Sequence, residues 1–150
     1  MEHNDPSDDT VRLQWLEALS QAQLPLARVE ERLVTLLAIK TPAHSRGEIG
    51  RAARARARQA GTLIGLLRRP EARQVLREAV SMLDAIEPGA DHAFVWAEQA
   101  LNSMLDRDYD TALYWGRCAM GLAKALGEPV THEHAQTASG AALLFIDYPA

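Results

Sequence analysis

Apolar and small residues recur at every third or fourth position along most of the chain, which is the pattern of helices that bury one face. In the stretch from Trp96 to Glu128, two such stripes flank a polar, acidic turn at residues 106–110. The stripe before the turn consists of Phe94, Ala97, Leu101, Met104 and Leu105, and the stripe after it of Tyr109, Ala112, Leu113, Gly116, Met120 and Ala123. This stretch therefore predicts an antiparallel helical hairpin, with Asp108 as the N-cap of its second helix.

Small residues recur with a fixed spacing along the chain. The intervals between Ala100, Ala112 and Ala119 are the same as those between Ala60, Ala72 and Ala79. This correspondence predicts an internal repeat with a period of about 40 residues. One further period places Gly140 at the position that corresponds to Ala100.

The same periodicity divides the rest of the chain into helices. We expect a disordered tail at residues 1–9, where Ser7, Asp8 or Asp9 would cap the first helix. A single domain at 10–150 would then contain hairpins at about 10–40, 46–87 and 90–127 and a terminal helix at 131–146, with Ser45 and Glu48 as a capping box at the start of the second hairpin. The predicted fold is all-α, with about seven helices.

The residues of the third hairpin resemble a known family. Trp96, Ala100, Asp108-Tyr109-Asp110, Ala112 and Ala119 are similar to the tetratricopeptide repeat pattern, in which a large residue near the start of the first helix and small residues at the helix crossing recur at fixed offsets. That repeat has about 34 residues. The longer period and the stretch 116–129 most resemble the repeats in the C-terminal regions of large ATP-binding LuxR-type transcriptional regulators, over residues 46–147. The resemblance implies hairpins stacked as a right-handed superhelix.

The chain also departs from this family at several positions. Gln99 and Ser103 stand where the repeat usually has a larger apolar or aromatic residue, and Arg56 stands at the position matched by Trp96. Nothing in the sequence resembles the nucleotide-binding or DNA-binding parts of such regulators. A regulatory role would therefore require a partner or a longer parent chain.

The resemblance implies a groove formed by the first helix of each hairpin, which would bind an extended or helical peptide. In this register the ligand-binding positions are Arg54, Arg58, Phe94, Glu98, Leu101, His134 and Thr137. We therefore predict a non-catalytic scaffold that binds a protein or peptide, with the sensor or oligomerisation part of a transcriptional regulator as one possible setting.

The end of the last predicted helix suggests an assembly surface. Residues 141–146 are apolar on every face, whereas a terminal repeat element usually presents a polar face to water. We predict homo-oligomerisation through Leu143, Leu144 and Phe145; the alternative is packing against further repeats.

An alternative function rests on the densest basic region of the chain. Its members are Arg51, Arg54, Arg58, Arg68 and Arg69. Because arginine forks recognise phosphate and carboxylate groups, this cluster could bind an anionic small molecule or nucleic acid. A solvated helix face accounts for the same residues, and the net charge of −4 argues against a general affinity for nucleic acid.

The sequence gives little support for catalysis or for a metal or cofactor site. His132 and His134 would project in widely different directions from a helix, because useful ligand pairs stand three or four residues apart. Asp106, Asp108 and Asp110 alternate as in a calcium loop but lack its glycine and distal glutamate. We find no phosphate-binding loop and no nucleophile with a recognisable base, so we expect neither an enzyme nor a bound cofactor.

Length and composition favour one ordinary globular domain. The chain has 150 residues, of which 47% are hydrophobic and 24% charged. A single cysteine, Cys118, cannot form an internal disulfide, and the run at residues 141–146 is too short to span a bilayer. With no signal-like N-terminus, we expect a cytoplasmic protein with no membrane partner. Trp15, Trp96 and Trp115 are expected in the core or at hairpin contacts.

Overall fold

The computed structural model describes residues 6–23 and 48–148, and these residues form six helices without a strand. The helices are α1 (Pro6–Gln23), α2 (Ile49–Gly65), α3 (Arg69–Leu83), α4 (Ala90–Leu105), α5 (Tyr109–Leu126) and α6 (Pro129–Asp147). The all-α prediction is confirmed. The second helix predicted for the first hairpin and the Ser45 capping position lie outside the described residues.

Helix α1 starts earlier than predicted, and it contacts α2 through Leu13. It begins at Pro6 and therefore includes residues 6–9, which we expected in a disordered tail; proline is tolerated there because the first turn of a helix needs no N–H donor. Trp15 is 63% exposed, whereas Leu13 is buried against Ala55 of α2. Helix α1 thus has two apolar pairs with helical spacing. Leu13 and Leu16 face α2, whereas Val11 and Trp15 are exposed.

The helices form two layers. Helix α4 contacts both α2 and α6, so these three lie side by side. Helix α3 packs on α2 and α4, and α5 packs on α4 and α6. Within the described part of the chain, α2 does not contact α6, and α3 does not contact α5. Each hairpin therefore contacts only its neighbours.

Small residues allow the helices to approach closely. On α2, Ala52, Ala53, Ala55, Ala57 and Ala60 are all buried. A Cβ atom added at Gly50 would lie 2.2 Å from Asp91 Oδ2, and one added at Gly116 would lie 1.9 Å from Ser139 Oγ. A larger residue at either position would force the contacting side chain to move, where α2 meets α4 and where α5 meets α6.

The same turn ends α2 and α4. Leu67 and Arg107, which stand at equivalent positions of the two repeats, adopt left-handed backbone angles with φ of 60° and 63°. The next backbone N–H in each turn, at Arg68 and Asp108, donates to a carbonyl five residues earlier at 2.9 Å. This is the Schellman arrangement, which usually contains glycine at the left-handed position.

Two local predictions about the α4–α5 hairpin are confirmed. Asp108 Oδ1 accepts a hydrogen bond from the backbone N–H of Thr111 at 3.3 Å, so Asp108 caps α5. Trp96 and Trp115 are half-buried and contact each other across the two helices, with ring centroids 6.2 Å apart.

His92 joins the two hairpins. Its Nδ1 accepts a hydrogen bond from the backbone N–H of Gly89 at 3.2 Å, so Nε2 carries the proton that it donates to the carbonyl of Leu83 at 3.0 Å. The side chain is buried, and its ring meets Trp96 edge-on at 5.6 Å between centroids. The end of α3 is thereby tied to the start of α4.

Candidate functional site

Three of the predicted ligand-binding residues meet where α2 lies beside α4. The guanidinium carbon of Arg54 is 4.7 Å from the centroid of the Phe94 ring, and that of Arg58 is 5.3 Å from it. Arg54 Nε also donates to Asp91 Oδ1 at 2.7 Å. A cation above an aromatic face is attracted by the negative charge density of the ring, so this ring holds both arginine side chains in place.

Two further predicted residues join α4 to α6. His134 Nε2 lies 3.3 Å from Glu98 Oε1. Glu98 also lies close to α2, because a Cβ atom added at Gly61 would be 3.5 Å from Glu98 Oε2. Glu98 therefore occupies a central position on the face formed by α2, α4 and α6, which we call the three-helix face.

The remaining two predicted residues are placed less centrally. Leu101 is half-buried on α4. Thr137 is exposed on α6, and its hydroxyl donates to the carbonyl of Glu133 in its own helix at 2.9 Å. Among the described residues, the contacts link Arg54 and Arg58 with Phe94, and Glu98 with His134.

A charged cleft of about 470 Å³ opens beside Arg54 and Arg58, between α1 and α2. Arg51 lines it and donates hydrogen bonds to Glu17 at 2.7 Å and to Glu48 at 2.8 Å. The hydrogen bond to Glu17 is the main reason that the pKa of Arg51 is raised above its usual value; partial burial opposes the shift.

Three polar residues of this cleft, Glu17, Gln21 and Asp91, were not identified from the sequence. With its amide oxygen turned towards Arg58, Gln21 accepts hydrogen bonds from Nε and Nη2 of that arginine, both at 3.1 Å. The only sequence signal was the presence of acidic residues on the helices before and after the arginine-rich α2. That signal does not say which carboxylate meets which arginine.

The other arginines of the basic cluster also have partners. Arg68 forms an ion pair with Glu71 at 2.6 Å, and its hydrogen bonds lower the pKa of that carboxyl group. Arg69 donates to the carbonyl of Leu105 and lies 3.3 Å from Asp106 Oδ1. An anionic ligand would therefore have to compete with carboxylates of the chain itself.

The predicted oligomerisation residues lie at the end of α6. Leu144 is 62% exposed, and Leu143 and Phe145 are exposed as well. The ring of Phe145 stacks on that of Tyr109, with centroids 5.6 Å apart and planes inclined by 8°. Phe145 is thus partly covered by the start of α5, whereas both leucines are presented to solvent.

The described ranges, 6–23 and 48–148, contain neither a metal-type cluster nor a membrane-spanning helix. Within them, no three His, Cys, Asp or Glu side chains are grouped as a metal site would require. No helix in the same ranges has the length and apolar character needed to cross a bilayer. Cys118 is a free thiol, half-buried on α5.

Comparison of the chain with protein-family models, with curated proteins and with solved structures gave no match.

Proposed function

We propose that this chain is a non-catalytic scaffold that binds a protein or peptide across the three-helix face. The observation that carries the proposal is the grouping of Arg54 and Arg58 on the Phe94 ring, next to Glu98 and His134. Because contacts between helices hold these side chains, a bound peptide would meet a surface that is already ordered, which lowers the entropic cost of binding.

The chemistry of this face suits recognition of a peptide with mixed side chains. Phe94 is half-buried and carries Arg54 and Arg58 over its ring, and arginine and aromatic residues are the side chains that most often dominate binding energy at interfaces. Glu98 and His134 add groups that can pair with a basic or polar residue of the partner. The Arg54 guanidinium is held by its ion pair with Asp91, an arrangement that fixes its position for binding.

The proposal includes a right-handed tetratricopeptide-like stacking of the hairpins. Two observations support it: the turn at Leu67 recurs one repeat period later at Arg107, and the first helices of successive hairpins lie side by side. Repeat proteins bury a continuous core through contacts between neighbouring units. In this chain, α2 contacts α4 and α4 contacts α6, and within the described residues α2 does not contact α6.

We further propose that the scaffold acts as the sensor or oligomerisation part of a transcriptional regulator and that it self-associates. The resemblance of residues 46–147 to the repeats of LuxR-type regulators supports the first part. The exposure of Leu143 and Leu144 supports the second, because large exposed apolar patches are typical of association surfaces.

Peptide binding can be tested by selecting a random peptide library against the full chain. Enriched peptides would then be titrated against Phe94→Ala and against Tyr114→Ala, a matched change of an exposed aromatic residue on α5. We expect Phe94→Ala to weaken binding by about tenfold or more, as is usual for a central aromatic contact, and Tyr114→Ala to have no effect.

The melting curves of both variants would show that each remains folded. Arg54→Gln should weaken the same peptides, because it removes the cation above the ring and leaves Asp91 without its partner. Failure to enrich any peptide, or equal affinity of the wild type and Phe94→Ala, would reject the three-helix face as the binding surface.

Self-association can be tested by light scattering over a series of concentrations. We expect a dimer or larger species for the wild type and a smaller species for Leu144→Glu, because a charge in an apolar contact is costly to desolvate. A wild-type chain that stays monomeric at every concentration would refute this part of the proposal without affecting peptide binding.

A further inference from the structure

A second cleft lies between α3, α4 and the start of α5, and its lining is polar. It has a volume of about 310 Å³, in the range of small-molecule sites. Arg73 and Arg77 of α3 form one wall, and Asn102 and Ser103 of α4 line it while being only 3% and 4% exposed. Gln99 and Ser103 face a direction on α4 that differs from that of Phe94 and Glu98, and Asn102 lies between the two directions.

The lining differs from that of the preceding hairpin at the position of Ser103. One repeat period earlier, Leu63 stands at the position of Ser103, and it is buried in the hydrophobic core between α2 and α3. Ser103 makes only a long hydrogen bond, accepting from Gln99 Nε2 at 3.4 Å. Positions 63 and 103 are therefore equivalent in the repeat but differ in their side chains. Leu63 fills the space between its two helices, whereas Ser103 leaves space that forms part of the polar cleft.

One end of the cleft is closed by an ion-pair cluster around Asp106. This carboxylate lies 3.3 Å from Arg69 Nη1 and 3.5 Å from Arg73 Nε, and it accepts from Asn102 Nδ2 at 3.4 Å. Because Asp106 is occupied by these three groups, it joins α3 to α4. It does not need a ligand for charge compensation.

Arg77 and Asp108 keep hydrogen-bonding capacity for a ligand. Arg77 Nη2 donates to Gln74 Oε1 at 2.7 Å, which uses one of the five N–H donors of a guanidinium. Asp108 uses Oδ1 to cap α5, and a carboxylate can accept several further hydrogen bonds. The cleft thus carries a cationic and an anionic group, with amide and hydroxyl groups beside them.

We propose that this cleft binds a small zwitterion of the amino-acid class. The ligand carboxylate is bound by Arg77 in the paired hydrogen-bond geometry that guanidinium groups favour. The ligand ammonium group is bound by Asp108, and the ligand side chain lies against Gln99, Asn102 and Ser103. The site is separate from the three-helix face, so it stands or falls independently of peptide binding.

Isothermal titration of the full chain with each of the twenty standard L-amino acids would test this proposal. We expect at least one to bind with a Kd below about 1 mM, which corresponds to about −4 kcal/mol. Its N-acetyl derivative should bind at least about tenfold more weakly, because acetylation removes the ammonium charge that Asp108 recognises. Absence of binding by all twenty, or equal binding of the acetylated form, would overturn the proposal.

Three variants locate the site. Ser103→Leu, which introduces the residue found at the equivalent position of the preceding hairpin, should abolish binding by filling the cleft. Asp108→Asn should weaken binding by about tenfold while keeping the helix cap, since asparagine is an equally good N-cap residue. Arg77→Gln should weaken it to a similar extent.

Arg117→Gln is the matched control, because Arg117 is exposed on α5 at the position equivalent to Arg77. It should leave the affinity unchanged. If Ser103→Leu does not fold, Arg77→Gln still decides the outcome, because it changes an exposed side chain. Unchanged affinity in Arg77→Gln would place the ligand elsewhere and reject the cleft.

Discussion

The α2–α3 and α4–α5 hairpins have the same turn but different interiors. In the first, Leu63, Leu76 and Leu83 are almost completely buried among alanines. The equivalent positions of the second are occupied by Ser103, Gly116 and Ala123. The first hairpin therefore buries aliphatic volume, whereas the second has small residues at these positions, of which Gly116 lies directly against α6.

The second hairpin compensates through aromatic contacts at its edge. Trp96 and Met120 are half-buried against a cluster of Ala97, Ala119 and Ala135, and Trp96 also contacts Trp115. The comparison shows that one backbone arrangement tolerates two kinds of packing. We expect the hairpin with the leucines to contribute more to the free energy of unfolding, because it buries more aliphatic surface; the hairpin without them has room for the polar cleft.

The largest expected difference concerns leucine truncation. Leu76→Ala should lower the free energy of unfolding by about 2–5 kcal/mol, because it leaves a cavity in the buried core. Leu113→Ala, which truncates a half-buried residue of α5, should cost less than half as much. Urea denaturation of both variants would measure the difference, and equal losses would contradict the unequal contribution of the two hairpins.

The close approach of α5 and α6 can be tested at Gly116. Its replacement by alanine would push Ser139 Oγ away from the carbonyl of Ala135, to which it donates at 2.9 Å. The lost hydrogen bond costs about 1–3 kcal/mol and outweighs the gain of about 1 kcal/mol in helix propensity. We expect a net loss of about 1 kcal/mol in thermal or urea unfolding.

Two controls accompany the Gly116→Ala measurement. Gly121→Ala on the same helix should be stabilising by about 1 kcal/mol, because an added Cβ atom there meets nothing within 4 Å. In a Ser139→Ala background, the cost of alanine at position 116 should shrink. A Gly116→Ala variant as stable as Gly121→Ala would show that the contact is not tight.

The smallest expected effect concerns the turn that both hairpins share, in which Leu67 and Arg107 have left-handed backbone angles. Leu67→Gly and Arg107→Gly should each raise the free energy of unfolding by about 0.5–1 kcal/mol, because glycine adopts the left-handed conformation without steric cost. Gly127→Ala, which places a side chain at φ 69°, should have the opposite sign. Different responses at Leu67 and Arg107 would mean that the two turns are not equivalent in energy.

Local periodicity was enough to predict much of the fold. The cap at Asp108 and the terminal helix were both predicted, because each depends on residues within a few turns of one another. Trp15 of α1 is 63% exposed, and the second helix of its predicted hairpin lies outside the described residues. Leu13 and Leu16 pack against Ala55, and this contact follows from the packing of α1 on α2.

The candidate site was predicted less completely. The repeat register selected Arg54, Phe94, Glu98 and His134, but it gave no indication that Asp91 pairs with Arg54. Such pairs join residues 34 to 37 positions apart, as Arg51 with Glu17 and Arg54 with Asp91 do. Side chains on separate helices have no periodic relation in sequence, so their pairing follows only from the packing of those helices.

The restriction of contacts to neighbouring hairpins has a consequence for the kinetics of folding. A chain whose contacts are mostly local closes short loops first and folds rapidly. We expect the leucine-rich α2–α3 pair to keep its amide protons longest, since local opening is least favourable where apolar burial is greatest. Helix α6, which has no hairpin on its outer side within the described residues, should exchange its amide protons earlier, so that opening proceeds inward from that end.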